Sequence, residues 1–213
     1  DIGLPREWAA WSNPNSETAR RASQDLLHRL DIVAEDSPAM EEFDGLRLHE
    51  LTSFIFPSAT LDRLCVCNDV MSYFFLIDDD ADANEATGKR PRELWRRVSL
   101  HMLALRFGEA TEDRDPLTRL MLDIHRRLRT FADPAWMSRF ATDMRNYLLE
   151  GTVAAAFNWA QGIVPDVDVY LLQRDFDVAG YPAQDLIEVA ERAPLPESVR
   201  NDPLFREMRA ICT

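Results

Sequence analysis

The chemistry-bearing side chains of this sequence are densest at Asp78-Asp79-Asp80-Ala81-Asp82, which follows directly on the apolar run Phe74-Phe75-Leu76-Ile77. On a helix, residues i and i+4 share a face, about 6 Å apart along the axis. Asp78 and Asp82 would therefore point the same way, with Asp79 beside them. The stripe runs back through Phe75, Phe74 and Met71, which puts carboxylates at a rim and aromatics below it. Carboxylates this close raise one another's pKa, and cations relieve the repulsion. Hard oxygen ligands favour Mg²⁺ or Ca²⁺ over zinc. Mg²⁺ characteristically takes one or two protein carboxylates and completes its shell with water and phosphate oxygens. The competing reading is a solvated acidic loop after a helix. An EF-hand is excluded: counted from Asp78, Ala83 stands where the loop needs Gly and Lys89 where it needs Glu, and counted from Asp80 the last ligand is Pro91.

Other reactive types are scattered. His28, His49, His101 and His125 share no spacing with one another or with the acidic cluster, and are expected at the surface or at caps. Three cysteines, Cys65, Cys67 and Cys212, form no disulfide framework and point to a reducing, cytoplasmic setting, with the Cys65-x-Cys67 pair read as buried thiols. Gly88-Lys89 lacks the upstream glycine of a phosphate loop.

The elements that must position the cluster read as helices, with no period-2 strand pattern. Asp115-Pro116, Asp133-Pro134 and Asp202-Pro203 each place a capping carboxylate before a first-turn proline, and Ser37-Pro38 is a fourth such start. Pro165-Asp166 opens another helix. Helices are expected over 16–34, 38–54, 58–78, 91–108, 116–131, 134–160, 166–178, 183–193 and 203–212. The stretches 61–77 and 148–159 lack a clear polar face, as do helices at the middle of a bundle or around an internal cavity.

Composition narrows the partners. The 213 residues carry 24 basic and 37 acidic side chains, for a net charge of −13, and Lys89 is the only lysine. A nucleic-acid binder needs a basic footprint, so no nucleic acid is expected. An anionic membrane surface would repel the chain, and no run of about 18 apolar residues spans a bilayer. Any anionic ligand must be received at a local cationic spot or through metal ions.

The acidic stretch after an aromatic-rich helix resembles the DDxxD motif of bacterial class I terpene cyclases. Asn13-Pro14 resembles the family's N-terminal Asn-Pro, and Phe56-Pro57 followed by Leu61 resembles its aromatic-Pro-x3-Leu approach to the metal helix. Pro165-x4-Tyr170-x3-Arg174 resembles the segment leading to its diphosphate-sensing arginine, with Asp177 and Val178 on the linker and effector positions. The resemblance runs in order over nearly the whole chain. It departs from the pattern in two respects: no Asn or Asp has Ser or Thr four residues on and Glu eight residues on, so the second metal motif is missing, and the late Arg-Tyr pair is absent too.

The resemblance implies an all-α class I terpenoid synthase bundle around a central cavity, incomplete at its C-terminus, with 1–213 forming a single domain. It implies Mg²⁺, several ions bridging Asp78, Asp79 and Asp82 to a prenyl diphosphate substrate, with farnesyl diphosphate favoured. Arg174 would grip the diphosphate, with Asp177 and Val178 as its catalytic companions, and Met71, Phe74, Phe75 and Phe157 would line the hydrocarbon pocket. For Arg174 the plain alternative is a salt bridge to Asp175 or Asp177. Two other readings stand beside the cyclase. One is an isoprenyl diphosphate synthase, against which a single acidic motif and a single lysine count. The other is a non-catalytic helical fragment that needs a complementary chain. A homo-oligomer is left open.

Overall fold

The computed structural model describes residues 11–82, 90–110 and 115–213, and the side chain of Asp82 lies outside that description. Every described element is helical: α1 (Ser16–Arg29), α2 (Pro38–Gly45), α3 (Leu48–Ile55), α4 (Leu61–Asp82), α5 (Pro91–Phe107), α6 (Pro116–Leu128), α7 (Pro134–Asn146), a π-helical segment (Tyr147–Val153), α8 (Ala154–Gln161), α9 (Val167–Asp177), α10 (Gly180–Ala190), α11 (Glu197–Arg200) and α12 (Pro203–Ile211).

The capping signals act where the sequence puts them. Asp115 accepts from the Thr118 amide at 3.2 Å, Asp133 from Trp136 at 2.8 Å, Asp202 from Leu204 at 2.8 Å and Ser37 from Met40 at 3.2 Å. Asp166 caps α9 through the Val169 amide at 3.0 Å. These bonds satisfy amides that the first turn leaves without intrahelical partners.

Helix boundaries depart from expectation at specific places. The stretch 38–54 is two helices, because Arg47 takes a left-handed conformation at φ 52°. The first helix stops at Arg29, and Asp31 follows at φ 57°. The acidic residues belong to α4, which runs on to Asp82 rather than stopping at 78. Residues 83–88 of the expected acidic loop lie outside the described part.

The helix α4 is the axis of the core. Leu64, Val66, Cys67, Tyr73 and Ile77 are fully buried, and Val70, Met71 and Phe74 nearly so. Around it pack α1, α3, α6 and α10. Its polar positions are paired: Ser23 donates to Asp69, Asn68 donates to Ser23 at 2.8 Å, and Arg127 of α6 pairs with Asp69 at 2.7 Å. A charge buried this deeply is tolerated only with such partners.

The segment before α1 is tied to the one that follows α3. The Asn13 side chain is buried and donates to the carbonyls of Phe56 at 3.0 Å and Ala59 at 2.8 Å, while its own amide donates to Ser53 at 3.1 Å. Asn13-Pro14 and Phe56-Pro57, far apart in sequence, thus form one clasp at the entry to α4. Two histidines correct the surface expectation. His101 is fully buried between Tyr73 and Asp115, and His125 is buried with Nδ1 on the Leu105 carbonyl. Among the cysteines, Cys67 is buried and Cys65 half-buried, but Cys212 is exposed.

Candidate functional site: an acidic rim over an apolar cavity

The C-terminal half of α4 forms one wall of a cavity of about 370 Å³. Met71, Phe74 and Phe75 line it from α4, and Asp78 stands one turn beyond Phe74. The opposite wall comes from the turn between α9 and α10: Arg174, Asp177, Val178 and Ala179, with Ala183 beyond. Leu51 of α3 and Tyr147 complete the lining. Seven of the residues singled out in the sequence (Met71, Phe74, Phe75, Asp78, Arg174, Asp177 and Val178) therefore face one cavity, although about a hundred residues separate the two groups.

The acidic rim is differentiated. Asp78 and Asp79 are exposed at the end of α4. Asp80 is turned to the far side, where it pairs with Arg97 of α5. At about 100° per residue, Asp80 lies roughly 200° around the helix from Asp78, so the two carboxylates cannot share a face. Asp82 closes α4, and its side chain is outside the described part.

The aromatic wall is held from the neighbouring helix. Tyr147 packs edge-on against Phe74, ring centroids 5.3 Å apart, and its hydroxyl donates to the Phe74 carbonyl at 3.4 Å. Tyr147 is the first residue of the π-helical segment. Segments of this kind are uncommon and tend to occur at functional sites. Gly151, one turn on, lies against backbone: a Cβ there would sit 2.9 Å from the Asp177 Cα. The absence of a side chain lets the end of α9 lie directly on the π segment. Beyond it, Ala179 takes a left-handed conformation at φ 53° and breaks α9 from α10.

Arg174 is half-exposed, with Asp177 3.6 Å from its guanidinium. The salt bridge weighed as the plain reading is thus present, at long range and partly in water, where such a pair is worth little. The same two residues also line a second, smaller cavity of about 230 Å³ under Trp159 and Tyr170. Phe157 is placed elsewhere. It is half-exposed and lines a wider cleft with Trp95 and Arg92 of the α5 side. Ten residues past Tyr147, and beyond the π-helical turn, it has rotated off the face that meets α4.

Sequence reasoning missed Leu51, Tyr147, Ala179 and Ala183. Each comes from an element whose inward face depends on packing, and Tyr147 carries no motif that marks it. The sequence also gave no sign that Asp80 leaves the acidic group for Arg97.

The donor set fits a hard divalent ion in chemistry: exposed carboxylate oxygens, with no thiolate or imidazole at the rim among the described residues. Among the described residues no three such ligands converge on one point. An ion held by one or two carboxylates, and otherwise by water and phosphate oxygen, needs no third.

The described residues thus form a helical bundle with an exposed carboxylate at the rim of an apolar cavity and an arginine across from it. The family model described as terpene synthase family 2, C-terminal metal binding, matches residues 69–213, and the chain belongs to the terpene synthase family. It is 28% identical over 211 residues to a (+)-eremophilene synthase of Sorangium cellulosum, covering 99% of this chain and 63% of that protein. It is 26% identical to a germacrene A synthase of Nostoc punctiforme, covering 99% of this chain and 64% of that one. Among solved structures, germacradien-4-ol synthase from Streptomyces citricolor superposes with a TM-score of 0.81 at 26% identity, over 98% of this chain and 67% of that one. The all-α class I terpene synthase fold is the fold of this chain. The chain spans less than two-thirds of the length of these curated relatives. No described helix is long and apolar enough to cross a membrane.

Proposed function

We propose that this chain carries the ionisation site of a terpene cyclase. In this reading, Asp78, Asp79 and Asp82 hold divalent cations, and Arg174 receives the diphosphate of a prenyl diphosphate. The observation that carries the reading is the single cavity faced by Asp78 and Arg174, with Met71, Phe74 and Tyr147 between them. Mg²⁺ is the ion the oxygen donors favour, and the chemistry it supplies when bound is Lewis-acid assistance to departure of the diphosphate. The planar guanidinium of Arg174 presents a fork of donors to phosphate oxygens and orients the leaving group. Asp177 lies beside that guanidinium, and Val178 follows at the left-handed break, so both sit where the head of the substrate would rest. The apolar walls fold the hydrocarbon and exclude water, and the faces of Phe74, Phe75 and Tyr147 suit a passing carbocation through the ring quadrupole. Phe157 lines the outer cleft and is not among the residues around this cavity.

The names of the relatives favour a C15 substrate: two of them are described as cyclising (2E,6E)-farnesyl diphosphate. We take the 213 residues as one helical domain of this type, acting on a soluble diphosphate in the cytoplasm. The test is turnover with Mg²⁺ and an equimolar mixture of C10, C15 and C20 prenyl diphosphates, with hydrocarbons read by gas chromatography–mass spectrometry. A cyclic product that Asp78→Asn abolishes is the expected result. Absence of product together with retained binding of Mg²⁺ and pyrophosphate would favour a domain that needs a complementary segment. Absence of both would overturn the reading.

A further inference from the structure

Asp80 differs from Asp78 and Asp79 in being half-buried, and a chain of polar contacts runs from it into the core. Asp80 pairs with Nη1 of Arg97. Nη2 of the same guanidinium donates to Asp115 at 3.1 Å. The other oxygen of Asp115 meets Nε2 of His101, and Nδ1 of that ring lies 2.9 Å from the Tyr73 hydroxyl. Tyr73 is back on α4, seven residues before Asp80. Seven residues are nearly two full turns, so Tyr73 and Asp80 share a face. The relay therefore grips one face of α4 at two points, from α5 and from the start of α6. Little of it is open to water: His101 is fully buried, and the Asp115 and Arg97 side chains are 18% and 25% exposed. Asp115 is at once the cap of α6, which fixes its own position.

We propose that Arg97 and Asp80 form a positioning pair that fixes the rotation of the last turns of α4, presenting Asp78 to the cavity and withholding Asp80 from the metal. The proposal rests on the reading of Asp78, Asp79 and Asp82 as metal ligands. Four carboxylates in five positions offer a cation several alternative groupings, and each would turn the helix end differently. An arginine that neutralises one of them from the opposite side removes the alternatives. Partners that orient metal ligands without touching the metal typically change affinity by about 10–100-fold when removed.

The test uses Mn²⁺ as the probe ion, alone and with inorganic pyrophosphate, read by electron paramagnetic resonance on the full chain. Hydrogen exchange over residues 75–82 is followed by mass spectrometry without metal. Arg97→Gln and Asp80→Asn are each expected to weaken Mn²⁺ binding by about tenfold or more. The double variant should be no worse than the weaker single, and the exchanged pair Asp80→Arg with Arg97→Asp should recover part of the loss. Both singles should speed exchange over 75–82 while the melting temperature stays within a few degrees. Asp80→Asn abolishing Mn²⁺ binding while Arg97→Gln leaves it intact would make Asp80 a ligand and overturn the proposal. Unchanged Mn²⁺ binding in both singles would overturn it too. If the unaltered chain binds no Mn²⁺, the metal reading itself fails, and the exchange data alone decide: faster exchange keeps the pair as an anchor of α4, unchanged exchange removes it.

Discussion

Asp78 and Arg174 face each other across one cavity, and the consequences of changing either differ in kind. Asp78→Asn keeps the shape but removes a charge that water and phosphate cannot replace. Mg²⁺-dependent turnover is expected to fall by more than the roughly tenfold typical of an outer-shell change, measured as initial rates at saturating Mg²⁺. Arg174→Lys keeps the charge and loses the planar fork. A charge-assisted hydrogen bond is worth about 1.5–3 kcal/mol, so a loss of about 10–100-fold in kcat/KM is expected. A lysine variant with full activity would reduce Arg174 to the exposed salt bridge with Asp177. Gly151 acts through space alone. Its alanine variant would force the Asp177 backbone outward from a 2.9 Å approach. Overpacking of this kind costs about 1–3 kcal/mol, and displacement of the Asp177–Val178 wall should lower the ratio of cyclic to acyclic product. A thermal melt and a product profile on the same variant separate the two effects. At this scale the sequence was informative where chemistry is local. The acidic run, the aromatic stripe and Tyr170-x3-Arg174 could be read directly, because their members are neighbours on one helix. Tyr147, Leu51 and Ala183 could not, because what places them is the packing of other elements.

The helix starts were legible because a capping carboxylate followed by proline is a local device that needs no tertiary partner. Replacing one should cost what such caps cost elsewhere. Asp133→Ala is expected to destabilise by about 1 kcal/mol, seen as a lower denaturation midpoint with an unchanged denaturant slope. Helix ends were less legible. The stretch 38–54 breaks at Arg47, a residue type with no special liking for the left-handed region. The acidic turns of α4 are helical, and Asp80 there pairs with Arg97 across two elements, a contact that no periodicity reports. Buried His101 and His125 escaped notice for the same reason: their partners, Asp115 and the Leu105 carbonyl, are distant in sequence. Asp115 carries the electrostatic mark of that arrangement. Burial works against its charge, but the hydrogen bond from His101 and the charges of His101 and Arg97 hold its carboxyl well below the usual carboxylate range. Its contribution to stability is therefore complete above about pH 4 and is lost as pH falls further.

At the scale of the molecule, a second buried ionic cluster joins α7, α10 and α12. Arg209 of α12 reaches Asp143 at 3.3 Å and Asp185 at 3.1 Å, and Arg139 pairs with Glu188 at 2.7 Å. Burial first, and then the charge of Asp143, push the Asp185 carboxyl up to about 7, against the pull of Arg209. The folded state thus holds a proton that the unfolded chain releases near pH 4, so stability falls as pH rises from about 4 towards 7. Asp185→Asn should flatten that slope, raising the melting temperature at pH 8 relative to wild type by more than at pH 5. A slope unchanged by the substitution would assign it elsewhere. The all-helical class was legible from the absence of period-2 pattern and from the density of caps. The order in which helices surround α4 was not, since it depends on which faces meet.

The contact of Gly151 with the Asp177 backbone also bears on how such a chain diversifies. Across the cavity, Val178 and Ala183 offer side chains that selection can enlarge or trim, each changing the shape of the space by a methyl group or two. At residue 151 there is no side chain to vary, and every mutation moves backbone instead of lining. In a library randomised at Met71, Phe74, Gly151, Val178 and Ala183 and sorted for altered products, new variants should accumulate at the other positions while 151 returns as glycine. That wall is the part of the cavity that evolution inherits without being able to carve.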